Sequence, residues 1–435
     1  MWAGIKTNLR AIQKSQTLLI NEQSRLMARR GEKVYKLGFG QSPFKPLERV
    51  QRALQESSGL CGYVPVQGLP ELREAAVRFH NAKQPELSLT SDRCLVGPGS
   101  KMLLYIIMAS FKRADVLIPS PAWVSYEPQA HLLDHSVTRI RTTIENRWRV
   151  TPEGLDEAAS RSPDGVQKIL ILNTPGNPDG LIYEQKELQE LAVVMRKWSI
   201  LVVADEIYAL LTHKYSTGKF KSLAAYYPEG TIITTGLSKW SGAGGWRLGL
   251  LFLPEESDEL KDVLLGIASE TYSCAPGMVQ QAAVVAYTHD DVTEAYLQSQ
   301  RSILRILAEV LYSMLNAVGI GVHRAQGGFY LFLDFHQFKG NLELKLGITT
   351  SASLCEDILN KTGVALLPSN AFGFPSTHLS ARLAYVDFDG DAALSLAELN
   401  GKVVDEDLVH KACGNTIEGV EKLCEYFALV AVDRC

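Results

Sequence analysis

A lysine and an arginine stand on either side of a glycine-rich bend in this 435-residue chain. Lys239 follows Ser238, and Arg247 comes after the glycine-rich run 242–246. A serine hydroxyl and a planar guanidinium suit the oxygens of a phosphate group, which would leave the amine of Lys239 free to act as a nucleophile. The alternative is that both cations simply face water, since the chain carries 44 lysines and arginines.

Three other stretches place polar residues where a ligand could bind. Residues 173–180 are rich in glycine, proline and asparagine, which a plain tight turn would explain equally well. Asp205 directly follows the apolar run 201–204, so its carboxylate needs a cationic partner or a shifted pKa; the alternative is an acidic residue at a helix start. The bend at residues 97–101 lacks the spacer of a P-loop, yet the free N–H groups at the start of an apolar helix suit a phosphate.

Composition restricts the partners and the compartment. The net charge of −4 argues against nucleic acid as the main partner, and no apolar run reaches the roughly 18–20 residues that span a bilayer. The first residues lack the apolar core of a signal peptide, and seven scattered cysteines without a Cys-x-x-Cys pair fit a reducing compartment. We therefore expect a cytoplasmic protein. His131 and His135 could share a helix face, but no third ligand is evident, so we expect no metal site.

Short apolar runs alternate with helical stretches from Cys94 onwards. The runs carry few polar residues, which is typical of parallel strands covered on both faces by helices. We therefore predict an α/β fold that binds its ligand at the carboxyl ends of the strands, with a second, smaller α/β portion after the helical residues 278–318. The predicted strands lie at residues 34–40, 93–96, 116–119, 168–173, 200–205, 231–234, 248–253, 328–333, 364–367 and 379–385, and residues 400–415 indicate a polar surface insertion before a last amphipathic helix.

Five motifs, in order, make the chain resemble the pyridoxal-phosphate-dependent aminotransferases of fold type I, class I and II, which include aspartate aminotransferase. The resemblance spans residues 36–385. Each motif is weak alone, whereas five with suitable spacing are specific. They are residues 63–68, 120–126, 173–180, 205–208, and the pair Ser238-Lys239 with Arg247.

The resemblance implies an architecture and an assembly. It implies a large domain with a mostly parallel seven-stranded sheet sandwiched by helices, and a smaller α/β domain built from both termini. We place the N-terminal arm and part of the small domain at residues 1–44, the large pyridoxal-phosphate-binding domain at 45–290, and the small C-terminal domain at 291–435. It also implies a homodimer with shared active sites, in which Tyr63 reaches the phosphate bound by the neighbouring subunit.

The resemblance further assigns roles around pyridoxal 5′-phosphate. Lys239 would bind the cofactor covalently and later carry the proton between the substrate carbon and the cofactor. Asp205 would pair with the protonated pyridine nitrogen, which keeps the ring an electron sink. Tyr208 and Asn177 would hydrogen-bond the phenolic oxygen. The ring would stack on Trp123, and the phosphate would lie among Ser100, Lys101, Ser238 and Arg247.

Arg382 stands in the family's place for the arginine that binds the substrate α-carboxylate through a bidentate pair. Gly40, Trp123 and Asn177 would complete the substrate site, and substrate binding between the domains would favour their closure. The implied reaction moves an amino group between an L-amino acid, aspartate or another, and a 2-oxo acid such as 2-oxoglutarate, in a ping-pong cycle. No residue is assigned to a second substrate carboxylate.

Two alternatives stay open at this point. A C–S β-lyase or an enzyme similar to aminocyclopropane-carboxylate synthase would share the cofactor residues on the same fold. A catalytically silent protein that binds pyridoxal phosphate would also keep them. The motif at residues 120–126 favours the aspartate aminotransferase branch, and the lack of a basic helix-turn-helix argues against a regulator.

Overall fold

A seven-stranded sheet forms the centre of the structure, a computed structural model that describes residues 16–214 and 220–431. Its strands lie in the order β1-β7-β6-β5-β4-β2-β3, and every neighbouring pair is parallel except the two pairs that β7 makes. This confirms the predicted mostly parallel α/β sheet. The strands are β1 Cys94–Gly97, β2 Ala114–Ser120, β3 Ser136–Arg141, β4 Gln167–Asn173, β5 Leu201–Asp205, β6 Thr231–Gly236 and β7 Gly249–Phe252.

Helices cover both faces of this sheet, and the apolar strand sequences are the reason. Along β2, Val116 and Ile118 pack into one buried cluster with helices α4 and α8, whereas Leu117 packs into another with α6 and α7. Because successive side chains point to opposite faces, both faces need apolar residues. The helices are α1 Gln16–Arg29, α2 Glu48–Glu56, α3 Pro70–Lys83, α4 Ser100–Ala109, α5 Tyr126–Leu132, α6 Pro152–Ser160, α7 Gln185–Lys197, α8 Asp258–Thr271, α9 Gly277–Ala286, α10 Asp291–Ala317, α11 Lys339–Leu346, α12 Ser351–Thr362, α13 Gly390–Leu399, α14 Glu406–Ala412 and α15 Gly414–Ala431.

A three-stranded antiparallel sheet forms the second, smaller α/β portion. It consists of β8 Tyr330–Asp334, β9 Leu367–Pro368 and β10 Ser380–Ala384, in the order β8-β10-β9. The N-terminal segment joins it, because Tyr35 pairs with Val364 and the N–H of Ala384 donates to the carbonyl of Leu37 at 2.7 Å. Segments from both ends of the described chain therefore contribute to the small sheet.

Several local predictions need correction. Residues 34–40 form only an isolated bridge at Tyr35, because the chain turns from Leu37 onwards and its glycine carbonyls accept side-chain donors instead of a strand partner. The predicted strand at 364–367 begins only at Leu367. The insertion predicted at 400–415 is not contradicted; it contains α14, whose first turn is capped by the carboxylate of Asp405 accepting from the N–H of Leu408.

Two further points concern helices. The segment with His131 ends its helix at Leu132, so His135 does not share a helix face with it; the Nε2 of His135 instead lies 2.9 Å from the carbonyl oxygen of Met108. Within residues 16–214 and 220–431, no helix has the length and apolarity that crossing a membrane requires. Residues 1–15 of the predicted N-terminal arm lie outside the described residues.

Candidate active site

A cavity of about 580 Å³ opens at the carboxyl ends of the parallel strands, within the size range of small-molecule sites. The loops after β1, β2, β4, β5 and β6 line one side, and residues 39–41 with the small sheet line the other. Of the residues that the sequence singles out, all but Tyr63 line this cavity. They are Gly40, Ser100, Lys101, Trp123, Asn177, Asp205, Tyr208, Ser238, Lys239, Arg247 and Arg382.

Asp205 supplies the only carboxylate among the lining residues that the structure describes. It ends β5 and is 3% exposed. The hydroxyl of Tyr126 donates to its Oδ2 at 2.6 Å. Burial raises the pKa of Asp205 to about 6, against the opposing effect of hydrogen bonds from Tyr126 and the N–H of Ile207. Such a carboxylate can pair with a cationic ring nitrogen.

Lys239 projects into the cavity from the loop after β6. Its Nζ donates to the carbonyl of Gly40 at 2.7 Å and lies 5.5 Å from the centre of the Tyr208 ring. Burial lowers the pKa of the Lys239 amine, and the positive charges of Arg382 and Arg247 lower it as well. A lowered pKa increases the share of neutral amine, which is the form that acts as a nucleophile or base.

Arg247 and the first turn of α4 form an anion seat at one end of the cavity. Arg247 has a left-handed backbone with φ of 56°, a conformation that non-glycine residues adopt rarely. Gly99, with φ of 88°, immediately precedes α4, and a Cβ on it would collide with the Arg247 guanidinium. The glycine therefore allows the cation to approach the free N–H groups at the start of α4.

Arg382 lies on β10 and is 1% exposed. Its Nη1 donates to Oδ1 of Asn177 at 3.0 Å, and its Nη2 donates to the carbonyl of Gly38 at 2.6 Å. The guanidinium also stacks on the ring of Tyr330, 4.6 Å from its centre, while its Nε is buried and has no hydrogen-bond partner among the described residues. A buried guanidinium with unused donor capacity suits a carboxylate ligand.

Tyr63 lies elsewhere. It is 93% exposed and does not line the cavity. A tyrosine so exposed buries almost none of its ring within this chain.

Sequence reasoning missed two tyrosines of the cavity. Tyr126 lies in a motif that the sequence analysis quotes, but its hydrogen bond to Asp205 was not foreseen. Tyr330 lies in an apolar strand that carries no sequence signal for a site, yet its hydroxyl is 2.9 Å from that of Tyr208. Its hydroxyl also explains why residue 40 is a glycine, because a Cβ on Gly40 would collide with it.

Comparison with protein families gives one family across most of the chain. The model described as aminotransferase class I and II matches residues 32–386. The aspartate aminotransferase of Bacillus sp. (strain YM-2) is 29% identical over 86% of this chain and 93% of its own length. The asparagine–oxo-acid transaminase of Streptococcus mutans is 30% identical over 86% of this chain and 92% of its own.

Solved structures share the fold. The aspartate aminotransferase of Thermus thermophilus with maleate superposes with a TM-score of 0.81 at 24% identity, covering 98% of this chain and all of that one. At this identity the likeness establishes the fold alone.

Proposed function

The chain belongs to the class I and II aminotransferase family and is a pyridoxal-phosphate-dependent transaminase, and from this premise we propose that its amino donor is an acidic L-amino acid such as aspartate. The acceptor is a 2-oxo acid such as 2-oxoglutarate. Several relatives carry names for aspartate, asparagine or prephenate. The observation that carries the proposal is the charge of the cavity, where one carboxylate, Asp205, faces four cations: Lys101, Lys239, Arg247 and Arg382.

The residues present fit the cofactor. The cavity combines an amine, a buried carboxylate and an anion seat, which match the aldehyde, the pyridine nitrogen and the phosphate of pyridoxal phosphate. Lys239 would hold it covalently, Asp205 would keep its nitrogen protonated, and Ser100, Ser238 and Arg247 would bind its phosphate. Trp123 lies on the same cavity wall for ring stacking, and Tyr208 with Asn177 would donate to the phenolic oxygen. When bound, the cofactor supplies an electron sink for the pair left on the substrate carbon.

The proton transfer falls to Lys239. A lowered pKa favours the neutral amine, so Nζ, once the substrate amine has displaced it from the cofactor, could take the proton from the substrate α-carbon and pass it to the cofactor. Asp205 would stay ionised, because the positive charge of the protonated ring nitrogen of the bound cofactor opposes the effect of burial. Arg382 orients the substrate by its α-carboxylate, with Gly40 and Asn177 beside it. The small sheet that carries Arg382 would close over the large one and exclude water.

Lys101 is the remaining cation. Its ammonium lies 4.9 Å from the centre of the Trp123 ring, and burial lowers its pKa, as do the charges of Arg247 and Lys239. The family resemblance assigns Lys101 to the cofactor phosphate. We instead favour the side-chain carboxylate of the donor as its partner, since Arg247 and the α4 amides already serve the phosphate.

The assembly and compartment are part of the same proposal. A homodimer would bury Tyr63, which is 93% exposed in the single chain, and would bring it to the partner's phosphate. The proposed large domain is residues 45–290, and residues 1–44 and 291–435 would contribute to the small one. The cavity would then lie between the sheets of the two domains. A cytoplasmic location is supported by the six free cysteines among the described residues.

The first test is spectroscopic. Purified wild-type protein should carry a visible absorbance band that excess aspartate converts to that of the pyridoxamine form, with stoichiometric oxo acid released. Lys239→Ala should lack the band and should lose transamination by at least about 10²–10⁴-fold. With an S-substituted cysteine in place of aspartate, release of pyruvate, ammonia and the thiol without the pyridoxamine form would instead support a C–S β-lyase. A colourless wild-type protein would contradict the cofactor assignments.

The second test addresses the substrate. Lys101→Met should lower kcat/KM for aspartate by about 10- to 100-fold, because a hydrogen bond to a charged group contributes roughly 1.5–3 kcal/mol, and should leave alanine as donor almost unchanged. Equal losses with both donors would assign Lys101 to the cofactor phosphate instead.

A further inference from the structure

Asp334, His336 and His378 form a cluster in the small sheet, away from the active-site cavity. Asp334 ends β8, His336 begins the turn that follows, and His378 lies just before β10. The antiparallel pairing of Asp334 with Ser380 brings the two strand ends together. One potential ligand atom from each of the three residues lies within 4.8 Å of the other two.

The distances within the cluster match those between metal ligands. Nδ1 of His336 lies 3.2 Å from Oδ2 of Asp334, and Nε2 of His378 lies 3.9 Å from the same oxygen. The longer distance is outside hydrogen-bond range, and Nε2 of His378 is buried without a hydrogen-bond partner among the described residues. Two ligands on a tetrahedral zinc ion, each bound at about 2.0–2.2 Å, lie roughly 3.3 Å apart. The distances of 3.2 and 3.9 Å bracket that value.

Neighbouring groups hold the three side chains in place. Oδ1 of Asp334 accepts from the N–H of His336 at 3.0 Å, and the hydroxyl of Ser380 donates to Oδ2 at 3.2 Å. The ring of His378 stacks on Phe374, with centres 4.3 Å apart. Contacts of this kind orient metal ligands and raise their affinity. The side chain of His336 is 46% exposed, so one side of the cluster is open to water as a further ligand.

We propose that Asp334, His336 and His378 bind a divalent transition-metal ion, for which zinc is the best match. Two imidazoles and a carboxylate are preferred ligands of zinc, whereas magnesium and calcium favour sites made of oxygen. The ion would join the end of β8 to the start of β10. Asp334 lies four residues along β8 from Tyr330, roughly 13 Å, so the site is structural and separate from the reacting atoms.

Zinc binding is measured on the full-length holoenzyme without an affinity tag, by competition with a chromophoric chelator. Wild-type protein should bind one zinc ion per chain at this site and unfold at a higher temperature with zinc than with the chelator EDTA. His336→Ala and His378→Phe should each weaken that binding by at least about tenfold, since even loss of an outer-shell partner costs that much. Phenylalanine keeps the ring that stacks on Phe374 and removes only the nitrogen ligands.

The matched control is His131→Ala. His131 is likewise exposed, and its Nε2 lies 3.6 Å from a carboxylate oxygen of Glu127, but it is outside the cluster, so its loss should leave zinc affinity and the thermal shift unchanged. Zinc affinity that is the same in wild type and His378→Phe would overturn the proposal. So would an anomalous-scattering peak for zinc only outside the triangle of the three ligands in zinc-soaked crystals.

Discussion

Replacing Tyr126 by phenylalanine tests how its hydrogen bond affects the ionisation of Asp205. The Tyr126 hydroxyl donates to Oδ2 of Asp205 at 2.6 Å, and both side chains are buried. A hydrogen bond to a charged group contributes about 1.5–3 kcal/mol, and one pKa unit corresponds to about 1.4 kcal/mol. Removing the hydroxyl should therefore raise the pKa of Asp205 by roughly one to two units from its value of about 6.

This shift has a measurable consequence for cofactor binding. Only the ionised carboxylate pairs with a protonated pyridine nitrogen, so affinity should fall as the pH falls through the pKa of Asp205. At pH 6 the wild-type carboxyl is about half ionised, and the Tyr126→Phe protein should bind about five- to fifty-fold more weakly. Titrating the apoenzyme with pyridoxamine 5′-phosphate from about pH 5 to 9 measures this without covalent chemistry at Lys239. The ligand's own ionisations are the same for every variant.

Tyr208→Phe is the matched control. Its hydroxyl is buried in the same cavity but contacts Tyr330, 2.9 Å away, and not Asp205. This variant should weaken binding at every pH without moving the midpoint of the pH profile. A Tyr126→Phe midpoint that coincides with that of wild type, or one that Tyr208→Phe shifts equally, would refute the reasoning.

Three further substitutions test other contacts. Arg382→Lys keeps the charge but loses the bidentate geometry, so kcat/KM should fall by about 10- to 100-fold for all donors alike; steady-state kinetics with kcat/KM unchanged would contradict its role. Gly40→Ala should lower both activity and unfolding free energy, the latter by about 1–3 kcal/mol, because its methyl group collides with the Tyr330 hydroxyl; full activity with wild-type stability would disprove this contact. Arg149→Met leaves the buried Asp179 without its ion-pair partner at 2.5 Å and should cost about 3–5 kcal/mol near neutral pH. Burial already raises the pKa of Asp179 above its unfolded value, so the folded state holds the proton more tightly and this loss should shrink in acid; denaturant titrations that show a pH-independent loss would argue against it.

The sequence predicted those strands that are buried on both faces. The runs that became β4 and β5 are apolar over most of their length, since helices cover both sides. The edge strand Ser136–Arg141 was missed, because only Ile140 is buried and the remaining positions are polar or partly exposed. The run at 34–40 has a strand-like composition, yet its carbonyls bind side chains of the cavity. The pattern of apolar residues indicates which side chains are buried. It gives no information on which hydrogen-bond partner a backbone carbonyl will have.

Some residues of the candidate site could likewise be predicted from the sequence, and others could not. Residues on loops after strands could be placed together, because parallel strands deliver their carboxyl ends to one edge of the sheet. Tyr126 and Tyr330 act through contacts across 79 and 122 positions of sequence, with Asp205 and Tyr208 respectively. The Tyr126 contact depends on how α5 packs against the large sheet, and the Tyr330 contact depends on how the small sheet packs against the large one. Local sequence encodes neither. Tyr63 could be recognised only through the family motif, since within one chain it contacts no part of the cavity.

Backbone carbonyls of the segment from Gly38 to Gly40 occupy hydrogen-bond donors of the cavity while no ligand is bound. The carbonyl of Gly38 accepts from Arg382, and that of Gly40 accepts from Lys239. If Arg382 binds the substrate carboxylate as proposed, that carboxylate would gain only the difference in free energy between its own hydrogen bond to Arg382 and the bond to Gly38 that it displaces. When the product leaves, the guanidinium of Arg382 can again donate to the Gly38 carbonyl, so the buried charge would keep a hydrogen-bond partner. The same exchange would weaken binding of the substrate and make release of the product easier.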